Sequence, residues 1–104
     1  VLIVLTTTPD QLEAEALATK IVEARLAACV QILPQMTSVY VWDGKLQKEG
    51  EHLLLIKTLS ENWDELREFI TANHSYDVPE IIAIDIEKTS EAYSSWLVDA
   101  LKDG

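Results

Sequence analysis

The sequence predicts an α+β fold, a split βαβ unit of order β-α-β-β-α-β followed by a C-terminal helix. Three observations predict it. Apolar runs of strand length alternate with segments whose apolar residues recur at helical spacing. The Asp43-Gly44 pair joins two long extended segments into a central hairpin. With 104 residues the chain has the length of one domain, so residues 1–104 are expected to form a single unit.

Val1-Leu2-Ile3-Val4-Leu5 is an unbroken β-branched and leucine run, expected in a strand central to the sheet. Thr8, Pro9 and Gln11 predict the start of the first helix, with Thr8 as N-cap, Pro9 at the first helical position and Gln11 completing a capping box. Ala14, Leu17, Ala18 and Ile21 then share one helical face. Arg25 is expected in the last turn, where a cation complements the helix dipole. An extended segment from Ala27 through Cys29, Val30, Ile32 and Leu33 breaks at Pro34, which cannot donate a ladder bond and marks an edge or a bulge. Beyond it, Val39 and Val41 alternate with Tyr40 and Trp42. The return strand is Lys45 to Thr58, buried over residues 52–56. Ser60 is expected to open a second helix carrying Trp63, Leu66 and Ile70. A loop over 73–79 precedes the apolar strand 81–86. Ser90 caps a last helix whose Tyr93, Trp96, Leu97, Ala100 and Leu101 are expected to pack on the body as one stripe. This order is the ferredoxin-like split βαβ arrangement, an antiparallel sheet with two helices on one face.

The hairpin is too long for one small domain to bury. About fifteen steps separate Ala28 from Asp43, roughly 50 Å at ~3.3 Å per residue, against a radius of gyration near ~13 Å for a domain of this length. The hairpin therefore projects or bends at Pro34. Projecting strands offer unpaired backbone groups to another chain, and closed symmetry satisfies them without fibres. Self-association through the hairpin is the expectation.

Composition excludes several classes. A formal charge of -10 argues against nucleic acid and against an anionic membrane surface. No apolar run approaches the ~20 residues of a membrane span, and Val1–Leu5 is too short for a signal-peptide core. Cys29 is the sole cysteine and cannot form an internal disulfide, so a reducing, cytoplasmic setting is expected. With three glycines and no Gly-rich phosphate loop, nucleophile elbow or paired-carboxylate motif, no enzyme activity is expected.

The segments Glu23-Ala24-Arg25-Leu26-Ala27-Ala28-Cys29-Val30, Thr37 to Lys45, His74-Ser75-Tyr76-Asp77-Val78-Pro79-Glu80-Ile81 and Tyr93-Ser94-Ser95-Trp96-Leu97 resemble, in this order, the CutA divalent-cation-tolerance family. The resemblance runs from Leu5-Thr6-Thr7-Thr8-Pro9-Asp10 to the last helix. It implies a homotrimer whose long strands pair across subunits, a link to tolerance of copper and other divalent cations, no required cofactor and no established catalytic activity. It also implies a fold akin to trimeric PII signalling proteins. From that likeness comes an alternative reading, a regulatory module binding an anion or nucleotide in clefts between subunits.

Soft or borderline metal donors are few: Cys29, Met36, His52 and His74, none in a close-spaced pair. The resemblance places copper, in some bacterial relatives, on a cysteine near the end of the first strand and two histidines after the second helix. Those positions are Thr6, Asn73 and His74 here, so His74 alone is retained. His74 and Cys29 are the candidate metal ligands. His52 is expected to be structural. Glu49 and Glu51 share a strand face and could offer oxygen ligands to hard cations, although a solvated polar face is the simpler expectation. Tyr40, Trp42, Tyr93 and Trp96 are expected in core or interface, and Lys57 is expected to carry its ammonium to the surface.

Overall fold

The computed structural model describes residues 1–102. Five strands and three helices follow the predicted order: β1 (Leu2–Thr8), α1 (Gln11–Glu23), β2 (Cys29–Ile32), β3 (Met36–Trp42), β4 (Lys45–Thr58), α2 (Trp63–Asn73), β5 (Ile82–Asp85) and α3 (Glu91–Ala100). The antiparallel sheet has the order β2-β4-β1-β5, and β3 pairs with the outer half of β4. Central β1 faces β4 from Leu2↔Thr58 to Thr8↔His52 and β5 from Leu2↔Asp85 to Leu5↔Ile82.

Period-2 alternation sends Val4, Leu54 and Ile56 to the face covered by α1 and α2, where they meet Ala14, Leu17, Ala18, Ile21, Leu66 and Ile70. The alanines let α1 lie close on the strands. The opposite face carries Ile3, Leu5, Leu53 and Leu55, all part-buried, with Ile82 and Ile84 half-exposed.

Helix starts differ from expectation. Thr8 is not the cap of α1, because β1 continues through Thr8 in register with His52. The cap is Asp10, whose carboxylate accepts from the Glu13 N–H at 2.8 Å, while the Thr8 hydroxyl donates to the Asp10 carbonyl. Arg25 lies beyond the last turn, at φ 57°. The N–H groups of Arg25 and Leu26 close a Schellman motif on Val22 and Ile21. From there the Arg25 guanidinium donates to the Ala100 carbonyl at the C-terminus of α3, so it complements a different helix end. Ser60 begins a 3-10 turn over Ser60–Asn62 and caps nothing. Ser90 does cap α3, accepting from Tyr93 N–H. Of the expected α3 stripe, Leu97 is fully buried, whereas Tyr93 and Trp96 remain exposed and stack on each other with ring centroids 5.6 Å apart.

The hairpin forms as predicted. Asp43 and Gly44 have φ of 53° and 74°, the two positive values that a type I′ turn requires. Its inner strand breaks over 33–35, on the sheet edge, while β4 runs uninterrupted for 14 residues. The Leu33 N–H still reaches the Leu53 carbonyl, and the His52 ring Nδ1 donates to the Leu33 carbonyl at 3.1 Å, pinning the break. The Gln35 amide lies over Gly50, in the space a side chain there would need. The molecule is 45 Å long and only 26 and 23 Å across. Val39, Val41, Trp42 and Leu46 near the hairpin end are all exposed.

Candidate functional site: an acidic, aromatic cleft at the hairpin root

The loop that follows α2 is held against the sheet by a chain of hydrogen bonds. His74 caps α2, and its ring is fully buried. Nε2 donates to the Thr7 carbonyl at 2.7 Å, and Nδ1 accepts from the Tyr76 N–H at 3.0 Å. These partners assign the neutral tautomer protonated on Nε2. Glu13 on α1 accepts from both the Ser75 hydroxyl and the Ser75 N–H. The Tyr76 ring lies 4.9 Å from the imidazole, centroid to centroid. Its hydroxyl reaches across to β4 and donates to Glu51 Oε2 at 2.9 Å.

Between this loop and the hairpin lies an open cleft of about 590 Å³. Thr7 forms its floor; Tyr40, Trp42, Glu49 and Glu51 form the hairpin wall; Ser75, Tyr76, Asp77, Val78 and Glu80 form the loop wall. Among the described residues, four carboxylates line it, with no lysine or arginine. Burial pushes the Tyr76 hydroxyl far above the ordinary phenol range, and its hydrogen bond to the Glu51 carboxylate adds to the effect. Tyr40 is raised too, by desolvation first and then by Glu49 and Glu51. Both phenols therefore stay protonated at neutral pH and act as hydrogen-bond donors, and the carboxylate lining repels anions.

Glu51 departs from the expected solvated strand face: it is only 8% exposed. The reason is Tyr76, which covers it from a loop 25 residues further along the chain. Glu49, two residues earlier, is exposed as expected.

The sulfur and imidazole donors are not brought together. Cys29 is part-buried opposite Lys57, near the far end of β4 from His74, which bonds at Thr7 opposite Leu53. Met36 sits opposite Glu51. Lys57 donates to the Gln31 amide oxygen across β2. Among the described residues, no three His, Cys, Asp or Glu side chains converge as a metal-binding group. Both His74 nitrogens are already engaged, so a metal there would displace one of two hydrogen bonds. The sequence singles out Tyr40, Trp42, Glu49 and Glu51 but does not mark Thr7, Ser75, Tyr76, Asp77, Val78 or Glu80 as cleft residues; all of these but Thr7, on β1, are loop positions, which carry no periodicity from which to place them.

Comparison with known proteins covers nearly the whole chain. The family described as CutA1 divalent ion tolerance protein matches residues 2–100. The divalent-cation tolerance protein CutA of Thermus thermophilus is 43% identical over 95 residues, 91% of this chain and 92% of that protein. The chloroplastic CutA of Arabidopsis thaliana is 43% identical over 98% of this chain, which spans 56% of the plant protein. The chain thus covers little more than half the length of the plant relatives it matches. The crystal structure of CutA1 from Oryza sativa superposes with a TM-score of 0.95 at 42% identity, covering 99% of this chain and 94% of that one. A mutant form of CutA1 from Pyrococcus horikoshii also gives 0.95, at 37% identity, over 99% of this chain and all of that one. A relative from Archaeoglobus fulgidus is described as periplasmic, so compartments differ among the relatives. No helix among the described residues is long and apolar enough to cross a membrane. The chain belongs to the CutA1 divalent-ion-tolerance family.

Proposed function

We propose that the protein serves divalent-cation tolerance by binding and assembly, without catalysis, as a homotrimer built through its long hairpin. The observation that carries this reading is the apolar surface that one chain leaves uncovered. Val39, Val41, Trp42 and Leu46 are exposed along the hairpin, and Ile82 and Ile84 are half-exposed on the sheet face away from α1 and α2. Exposed apolar side chains on both faces of a projecting hairpin suit an interface, and a closed ring of copies covers them without leaving an edge. The names of the relatives support the tolerance role.

Metal association in this reading is weak. The acidic surface draws cations, and Cys29 and His74 act as separate contacts. An anion in the cleft is disfavoured by its four carboxylates.

Light scattering at micromolar concentration tests the assembly, with a mass three times 11.7 kDa expected; a monomer overturns it. Calorimetric titration of the metal-free protein with Cu²⁺ and Zn²⁺ tests the cation part. Binding near or weaker than about 0.1 mM is expected, as suits sites lacking a complete ligand set. Binding that is tight and unaffected by His74→Ala and Cys29→Ser removes both candidate ligands.

A further inference from the structure

The last helix is attached to the body at few points. Along α3 every residue except Ser94, Leu97 and Ala100 is exposed, and Leu97 alone is fully buried. By contrast, α1 sets Ala14, Leu17, Ala18 and Ile21 into the core. Beside the C-terminal end of α3, an open groove of about 290 Å³ lies between Val98, Leu101 and Lys102 on one side and Leu59, Glu61 and Asn62 on the other. Before α3, the Ile86 N–H bonds to the Val1 carbonyl. The exposed residues 87–89 that follow make no hydrogen bond among the described residues.

Arg25 supplies the remaining tie. It follows α1 with φ 57°, a left-handed conformation that glycine adopts freely and that a Cβ makes unfavourable. Its Nη1 donates to the Ala100 carbonyl at 3.1 Å, in the last turn of α3, where carbonyls lack partners within the helix. That turn has no basic residue of its own, so Arg25 brings the cation that complements this helix end. A glycine at position 25 would suit the turn better but would leave α3 without it.

We propose that α3 is a detachable strap, hinged at residues 87–89, seated by Leu97 and latched by Arg25, which opens while the sheet and the other two helices stay folded. Regions with few buried apolar side chains open at a lower free energy than the core. A helix of ten residues is too short to persist alone in water, so a released α3 unfolds and its amides meet solvent together. The left-handed backbone of Arg25 is retained for the latch. The strap rests neither on trimer formation nor on metal binding, whose tests read mass and metal heats.

Native-state hydrogen exchange of the intact protein, read amide by amide by NMR, tests it. The amides of residues 94–101 are expected to exchange as one group, at least about a hundredfold faster than those of β1. Arg25→Gly removes the latch yet relaxes the turn. It should speed exchange in α3 by about threefold or more, while the β1 amides stay as slow as before or become slower. Leu97→Ala should speed α3 by about tenfold or more and leave β1 protected. The proposal is overturned by α3 amides as slow as those of β1, as they would be under a neighbouring copy. It is equally overturned by Arg25→Gly without effect on α3, by Arg25→Gly speeding α3 and β1 alike, or by a Leu97→Ala chain in which the sheet no longer folds.

Discussion

The Tyr76 hydroxyl donates to Glu51 Oε2 over 2.9 Å, and through this contact the loop after α2 clasps the root of the hairpin. The clasp continues inward: the Tyr76 N–H bonds to His74, and His74 bonds to the Thr7 carbonyl on β1. One phenol thus links the central sheet, the loop and the projecting strand, and it also shapes the cleft.

Tyr76→Phe keeps the ring and removes the donor, so Glu51 is left buried without a partner. Losing a hydrogen bond to a charged acceptor costs about 1–3 kcal/mol. Thermal or urea unfolding at neutral pH should show a destabilisation of this order. Glu51→Leu on the Tyr76→Phe background should recover part of it, since both polar partners are then gone. An unchanged midpoint for Tyr76→Phe refutes the clasp.

The same phenol gives the protein an alkaline limit. Tyr76 ionises in the folded chain well above its ordinary value of 10.0, because of burial and then of Glu51. Above pH 10 the unfolded chain releases this proton while the folded chain keeps it. The unfolded state then binds fewer protons, and stability falls as pH rises. Tyr40 and Tyr93 are shifted in the same direction, Tyr93 by burial and then by Cys29. Stability should be flat with respect to these groups below about pH 9 and decline from pH 10 upward. Tyr76→Phe should flatten that decline; denaturant midpoints measured from pH 8 to 11 provide the check.

How far the sequence could be read follows from how local each cause is. The Asp43-Gly44 turn follows from the φ those residues tolerate and the Pro34 break from its missing N–H, so the hairpin, its return strand Lys45–Thr58 and the interruption were all legible. The burial of Glu51 was not, because Tyr76 arrives from a loop and no periodicity connects the two. The α3 stripe was legible as a helix face but not as a surface: Leu97 is fully buried and Ala100 and Leu101 part-buried, whereas Tyr93 and Trp96 stay exposed, and nothing in the spacing says which part of a stripe will find a partner within one chain.

The start of α1 is a similar case, and it is testable. Thr8 and Asp10 are both good caps by residue type, and pairing of Thr8 with His52 decides between them. Asp10→Ala should cost about 1 kcal/mol through loss of the bond to the Glu13 N–H. Asp10→Asn should restore most of it. If Asp10→Ala leaves thermal unfolding unmoved, the helix is capped elsewhere.

Thr6 supplies a prediction of opposite sign. It is fully buried on the helix-covered face of β1, and its Oγ1 is the buried side-chain oxygen without a hydrogen-bond partner among the described residues. Thr58, on the same face of neighbouring β4, meets the Leu26 carbonyl at 2.7 Å, so a buried threonine in this sheet can be satisfied where a carbonyl is near. A buried hydroxyl without a partner carries a desolvation cost of about 1–3 kcal/mol. Valine has nearly the same shape, suits a strand at least as well and carries no such cost. Thr6→Val should therefore raise the unfolding midpoint by an amount equivalent to about 1 kcal/mol or more, whereas Thr58→Val should lower it. The paired substitutions separate the hydroxyl from the packing, because the volume change is the same at both sites. A lower midpoint for Thr6→Val would mean that a bound water satisfies Oγ1 in solution.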